Sequence, residues 1–200
     1  MRLAWLFLRS RLTGPALAGI ALTGVLAIFW ENWFGHEAEA MTAAFVLFPL
    51  VVACIVGNGA HSPFGETELT VSLPLARLRD AQLTGLVVLG ALALLLAAAT
   101  WPLPDDGGTL ARNLAGLAGL ALLSTPIAGG RLAWITPLTV VMAAQFRDLS
   151  EGVASWLVFT WPRAAFGNDR ALVIALALLA GGLVVVHLFG PKLIRDETVV

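Results

Sequence analysis

Charge is scarce in this chain: of 200 residues, 12% are charged and 58% are hydrophobic, where soluble domains run at about 25% and about 45–50%. An ordinary water-soluble domain is excluded. Lys and Arg together number 12 and Asp and Glu 13, for a net charge of -1, so no basic face exists to neutralise a phosphate backbone. Nucleic acid is not a partner. Cysteine is nearly absent as well. Cys54 stands alone in an apolar run, which excludes a disulfide framework and a cysteine metal cluster within the chain. The only lysine, Lys192, follows Pro191, so no G-x-x-x-x-G-K-[ST] phosphate loop exists. Nucleotide energy, if it is used, has to be bound by another chain.

The signatures of membrane enzymes are missing too. There is no H-E-x-x-H and no G-x-S-G paired with a histidine in another apolar stretch. His36, His61 and His187 are scattered over different connections and a span end, so they cannot ligate one metal. Catalytic, cofactor-binding and metal-binding residues are therefore not expected.

What is present is long apolar sequence. A bilayer core of about 30 Å needs about 20 apolar residues in a helix. Five stretches free of Asp, Glu, Lys and Arg approach that length: 13–30, 42–60, 81–101, 113–130 and 171–190. A sixth, Leu132 to Phe146, rises only about 22 Å and crosses if Arg131 and Arg147 snorkel to the interfaces. The expectation is an all-α polytopic membrane protein of six transmembrane helices, with residues 1–200 forming a single transmembrane domain in the lipid bilayer. The first run is read as a retained span rather than a signal peptide. It is longer than a usual signal core and ends in Phe29-Trp30-Glu31-Asn32-Trp33, although Ala38-Glu39-Ala40 has the small-x-small form of a cleavage site.

Orientation follows from the basic residues. With the N-terminus inside, Arg2, Arg9, Arg11, Arg77, Arg79, Arg131, Lys192 and Arg195 are cytoplasmic, whereas only Arg112, Arg147, Arg163 and Arg170 are external. Both termini are then cytoplasmic, in a bacterial inner membrane. Trp30, Trp33 and Trp101 fall at the outer ends of spans, where tryptophan commonly anchors.

Three segments are not plain spans. Residues 1–12 combine Arg2 and Arg9 on one helical face with Trp5, Leu6 and Leu8, which reads as an interfacial elbow or as the start of the first span. Residues 61–80, HSPFGETELTVSLPLARLRD, form the longest cytoplasmic connection. Ser62 and Pro63 can open a short helix, and Pro74 breaks it before span three. Glu66 and Glu68 then face the cytoplasm, either as docking groups or as the charges of a solvated loop. Residues 147–170 enclose an apolar middle, GVASWLVFTWP, that is too short to cross. It either re-enters the outer leaflet or lies flat with Trp156 and Trp161 as anchors.

The stretch Gly65, Glu68, Leu73, Pro74 and Arg77, within GETELTVSLPLAR, resembles the permease subunits of ABC-2 type transporters. These typically carry G-x-x-E-x-L-x-x-L-P-x-x-R after the second span. Six spans, a long second connection, a tight turn at Gly129-Gly130-Arg131 and an apolar dip before the last span extend the likeness over most of the chain. The chain is short for such permeases, and it lacks the basic residue often found just before the motif and the lysine often found after it. The resemblance implies that 61–80 is a cytoplasmic coupling helix docking on a separate ATP-binding subunit through Glu68, Pro74 and Arg77, with Glu66 beside them. It further implies two permease chains, identical or homologous, and two ATPase chains holding ATP and Mg.

The expected path offers little to a charged solute. No ionisable group lies mid-span in this reading, and His187 sits close to an inner end. Asn58, Ser124 and Gln145 are polar candidates for the path, and helix-to-helix hydrogen bonding explains them equally well. Gly116, Gly119, Gly181 and Gly182 permit close helix packing. The expected cargo is lipophilic or amphipathic, such as a peptide antibiotic, drug or lipid. A non-transport polytopic protein, such as an assembly factor or an intramembrane enzyme, is the alternative.

Overall fold

Apolar runs of this length satisfy their backbone in the only way a single segment can in lipid, as helices. The computed structural model describes residues 13–34, 38–61, 75–101, 106–145, 161–164 and 167–189. Among these residues every regular element is helical: α1 Thr13–Phe34, α2 Ala38–Gly59, α3 Leu75–Ala98, α4 Asp106–Ala128, α5 Ile135–Gln145 and α6 Asp169–Phe189. Short 3-10 turns occupy Gly130–Leu132 and Trp161–Arg163. The expected elbow at 1–12, the short helix after Ser62 and the apolar middle of 147–170 as far as residue 160 lie outside the described residues.

Five helices are long and apolar enough to cross a membrane, over Thr13–Trp30, Glu39–Gly59, Arg77–Ala98, Gly107–Ala128 and Asp169–Phe189. They fit a polytopic all-α membrane protein. The sixth stretch is a helix of 11 residues, Ile135–Gln145, which rises about 16 Å and falls short of a full crossing by itself. It starts beside the end of α2, where Gly130 passes over His61. It finishes beside the 3-10 turn before α6, where the Arg163 guanidinium donates to the Ala144 carbonyl at 3.3 Å. These two neighbours define the ends of the bundle used below, the His61 end and the Phe34 end.

Residue chemistry explains several boundaries. α6 starts where the Asn168 Oδ1 accepts the Ala171 N–H at 3.2 Å, a side-chain N-cap, with Asp169 in the positive first turn. The turn after α4 requires Gly129 at φ 78°, a backbone conformation that costs glycine least. α4 begins two turns before the expected Asn113. Residues 107–111 are helical despite the low helix propensity of Gly107 and Gly108, so Arg112 falls inside the helix rather than at its mouth.

α4 is the hub. Leu110, Leu114, Leu117 and Leu122 are fully buried, and α4 packs most extensively on α6 and α2, then on α3, while α1 leans on α3 and α2. α1 and α6 keep apolar residues on their outer sides, with Val173 64%, Leu188 67% and Phe189 73% exposed. A helix apolar all round suits lipid rather than water. Trp101 departs from the expected interfacial anchor. It is buried, its indole N–H donates to the Ala27 carbonyl at 3.1 Å, and its ring meets Phe45 edge-on with centroids 5.7 Å apart. Trp101 binds α1 to the core because its indole N–H has a backbone carbonyl within reach.

Candidate functional site

Two prolines lie inside spans, Pro49 in α2 and Pro126 in α4. Each lacks the N–H that would pair with the carbonyl four residues before it, leaving Phe45 and Leu122 with free carbonyls. In lipid such groups have to be met from within the protein. The Thr125 hydroxyl donates to the Leu122 carbonyl at 2.8 Å. The Asn113 amide of α4 donates to the Phe45 carbonyl at 2.8 Å.

The second amide hydrogen of Asn113 goes to the Pro162 carbonyl, also at 2.8 Å. Its Oδ1 accepts from Arg112 Nε and Nη2, both at 3.2 Å, and Arg112 Nη2 donates to the Ala164 carbonyl at 2.8 Å. Arg112 and Asn113 are buried, at 5% and 0% exposed. Together they form a polar knot that holds α2, α4 and the 161–164 segment at one level toward the Phe34 end. Trp161 completes it. Its six-membered ring lies directly over Gly116, where any Cβ would overlap the ring. Arg112 lies near the start of the span Gly107–Ala128 rather than at its middle, so the expectation that no ionisable group lies mid-span is not overturned, but the span begins earlier than the expected Asn113 and includes this arginine.

One turn along, α4 and α6 meet through glycine. A Cβ on Gly119 would overlap the backbone of Leu178, and one on Gly182 would sit 2.6 Å from the Gly119 carbonyl oxygen. This is the small-residue approach that lets two backbones touch. Gly181 has only Leu123 Cδ2 near, at 3.8 Å, so it takes no part in the crossing.

At the His61 end α3 and α6 are tied by polar links. Arg79 Nη2 donates to the Val186 carbonyl at 2.7 Å, complementing the negative C-terminal end of α6. Asp80 Oδ2 and His187 Nδ1 pair at 2.5 Å. The His187 side chain is exposed.

The residues singled out in the sequence do not gather in one place. Glu66, Glu68, Pro74 and Trp156 lie outside the described residues, as does the side chain of Gln145. Arg77 is exposed in the first turns of α3, and Asn58 is exposed in the last turn of α2. Ser124 is buried, with its hydroxyl within reach of the Ala121 carbonyl at 2.8 Å and the Ala133 carbonyl at 3.3 Å. That geometry stitches α4 to the chain ahead of α5. Trp161 is buried against α4 rather than lying at a surface.

Sequence reasoning missed Arg112 and Asn113 as a pair, the Asp80–His187 link, and Gln82. A proline in an apolar run followed elsewhere by a buried amide was the available signal for the knot. No family model matches the chain, and comparison with curated proteins and with solved structures finds no match.

Proposed function

We propose that this chain is the membrane-spanning, non-catalytic permease subunit of an ATP-driven exporter of the ABC-2 type. It works with a separate ATP-binding subunit and moves a lipophilic or amphipathic substrate such as a peptide antibiotic, drug or lipid. The observation that carries the reading is continuity between the motif stretch and the bundle. GETELTVSLPLAR leads straight into α3, whose first turns present exposed Arg77 and whose next residues, Arg79 and Asp80, are bonded to the end of α6.

A displacement of the 61–80 element is therefore handed to α6 through two polar links. α6 is locked to α4 at Gly119 and Gly182, and α4 holds the 161–164 segment through Asn113 and Arg112. In this reading the His61 end is cytoplasmic, both termini are inside, and α5 with its flanking residues makes the sixth crossing. Two permeases and two ATPases form the working unit in a bacterial inner membrane. Contacts that differ between the two states are what transmit work, and the α3–α6 links and the knot are the groups placed to differ.

Gentle solubilisation from native membranes tests the proposal. A stoichiometric ATP-binding subunit is expected to co-purify and to hydrolyse ATP. A chain that emerges alone and without ATP turnover favours the assembly or regulatory alternative.

A further inference from the structure

Two described side chains, Trp161 at its indole N–H and Gln82 at both ends of its carboxamide, break the rule that Asn113, Thr125 and Trp101 obey. Gln82 of α3 is 8% exposed, and among the described residues neither its amide nitrogen nor its carbonyl oxygen has a hydrogen-bond partner. Elsewhere Asn113 uses both amide hydrogens, Thr125 covers a carbonyl that proline frees, and Trp101 reaches a backbone oxygen. A buried polar group left unmet costs about 1–3 kcal/mol, and leucine at the same position would carry no such cost. Within a membrane span, a polar side chain kept on such terms marks a functional position.

Its surroundings indicate what it serves. Gln82 lies one turn beyond Arg79 on α3 and two residues beyond Asp80, so it does not share the face through which Asp80 meets His187. One turn further along, a Cβ on Gly85 would meet nothing within 4 Å, so space is open beside Gln82. A neutral carboxamide offers N–H donors together with a C=O acceptor. Its full complement is another amide, paired N–H to O=C in both directions.

We propose that Gln82 is a binding residue for an amphipathic molecule bearing a neutral, peptide-type amide, which reaches it from the bilayer past Gly85 of α3. The proposal deepens the transport reading and rests on it for the role of that molecule as cargo. Selection at Gln82 is by hydrogen bonding and not by charge, because its carboxamide is neutral.

The test is equilibrium binding of radiolabelled N-dodecanoyl-dileucinamide to the full chain in lipid nanodiscs, corrected against empty nanodiscs. Its analogue methylated at every amide nitrogen is the control. The wild type is expected to bind the parent about 10-fold more tightly than the analogue, the scale of one or two buried hydrogen bonds. Gln82→Leu and Gln82→Met are expected to bind both probes equally and to unfold at the same or a higher temperature. The proposal is overturned if the variants keep the preference, if the wild type shows none, or if both variants unfold at a lower temperature, since that last result means the amide is met structurally. No ATPase is needed for the assay. A chain that binds the probe but holds no ATPase would overturn the transport reading alone.

Discussion

Asn113 of α4 donates an amide hydrogen to the carbonyl oxygen of Phe45 on α2 at 2.8 Å, the carbonyl that Pro49 leaves without a helical donor. The bond crosses between two spans and repairs a defect that the sequence of one of them creates. Hydrogen bonds between membrane helices average about 0.6 kcal/mol, because a released group usually finds another partner. Phe45 has no such fallback in its own helix.

Replacing Asn113 by Leu orphans the Phe45 and Pro162 carbonyls and is expected to destabilise the protein by about 2 kcal/mol. In a Pro49→Ala background the backbone N–H gained at position 49 serves Phe45, and the same replacement is expected to cost about 1 kcal/mol less. Unfolding of the four proteins in mixed micelles, read as a double-mutant cycle, checks this. Equal losses in the two backgrounds would remove the proline–asparagine link.

The α4–α6 crossing makes Gly119 of α4 and Gly181 of α6 unlike each other. Gly119→Val drives a side chain into the Leu178 backbone and is expected to cost about 3 kcal/mol. Gly181→Ala has Leu123 Cδ2 as its nearest neighbour, at 3.8 Å, and is expected to leave stability unchanged or to raise it by about 0.5–1 kcal/mol. Thermal unfolding of both variants decides it. A Gly181→Ala loss as large as that of Gly119→Val would mean the helices cross elsewhere.

The links at the His61 end are expected to matter for work more than for folding. Side chains of His187 and Asp80 are 53% and 30% exposed, and pairs of this kind contribute about 0–1 kcal/mol. Asp80→Asn and His187→Ala should therefore leave the thermal midpoint nearly unchanged, yet lower ATP-driven transport while ATPase binding persists. Normal transport in both variants would show that force does not pass from α3 to α6 through this pair.

Glu68→Ala and Arg77→Ala examine the docking role of the connection itself. Each is expected to lower permease-stimulated ATP turnover with the bundle still folded, as read by an unchanged elution volume and thermal midpoint. Unchanged turnover and transport in both variants would withdraw the docking assignment.

Much of the architecture is legible because hydrophobic length speaks plainly: all five long runs are helices, although α3 and α4 begin about two turns before their expected starts at 81 and 113. Errors clustered where polar groups are absorbed by the protein instead of by water. Arg112 reads as the edge of a span because a charge normally stops one, whereas inside α4 the Ala164 carbonyl and the Asn113 Oδ1 accept its N–H groups. Trp101 reads as an interfacial anchor, since nothing local reveals the Ala27 carbonyl that takes its N–H. Gly116, Gly119 and Gly182 are close-packing residues as expected, but Gly181 is not, because which glycine meets the neighbouring helix depends on how the helices rotate. Gln82 carries no signal in one dimension, because its unmet amide is a property of its neighbours.

The account depends most on which side of the membrane the connection between α2 and α3 faces. Ser62→Cys in a Cys54→Ala background supplies a single thiol there, to be labelled by a membrane-impermeant maleimide in intact cells and in inverted vesicles. The account predicts protection in intact cells and labelling in inverted vesicles. Labelling from outside intact cells would contradict it, because a partner that burns ATP in the cytosol could not reach the lever.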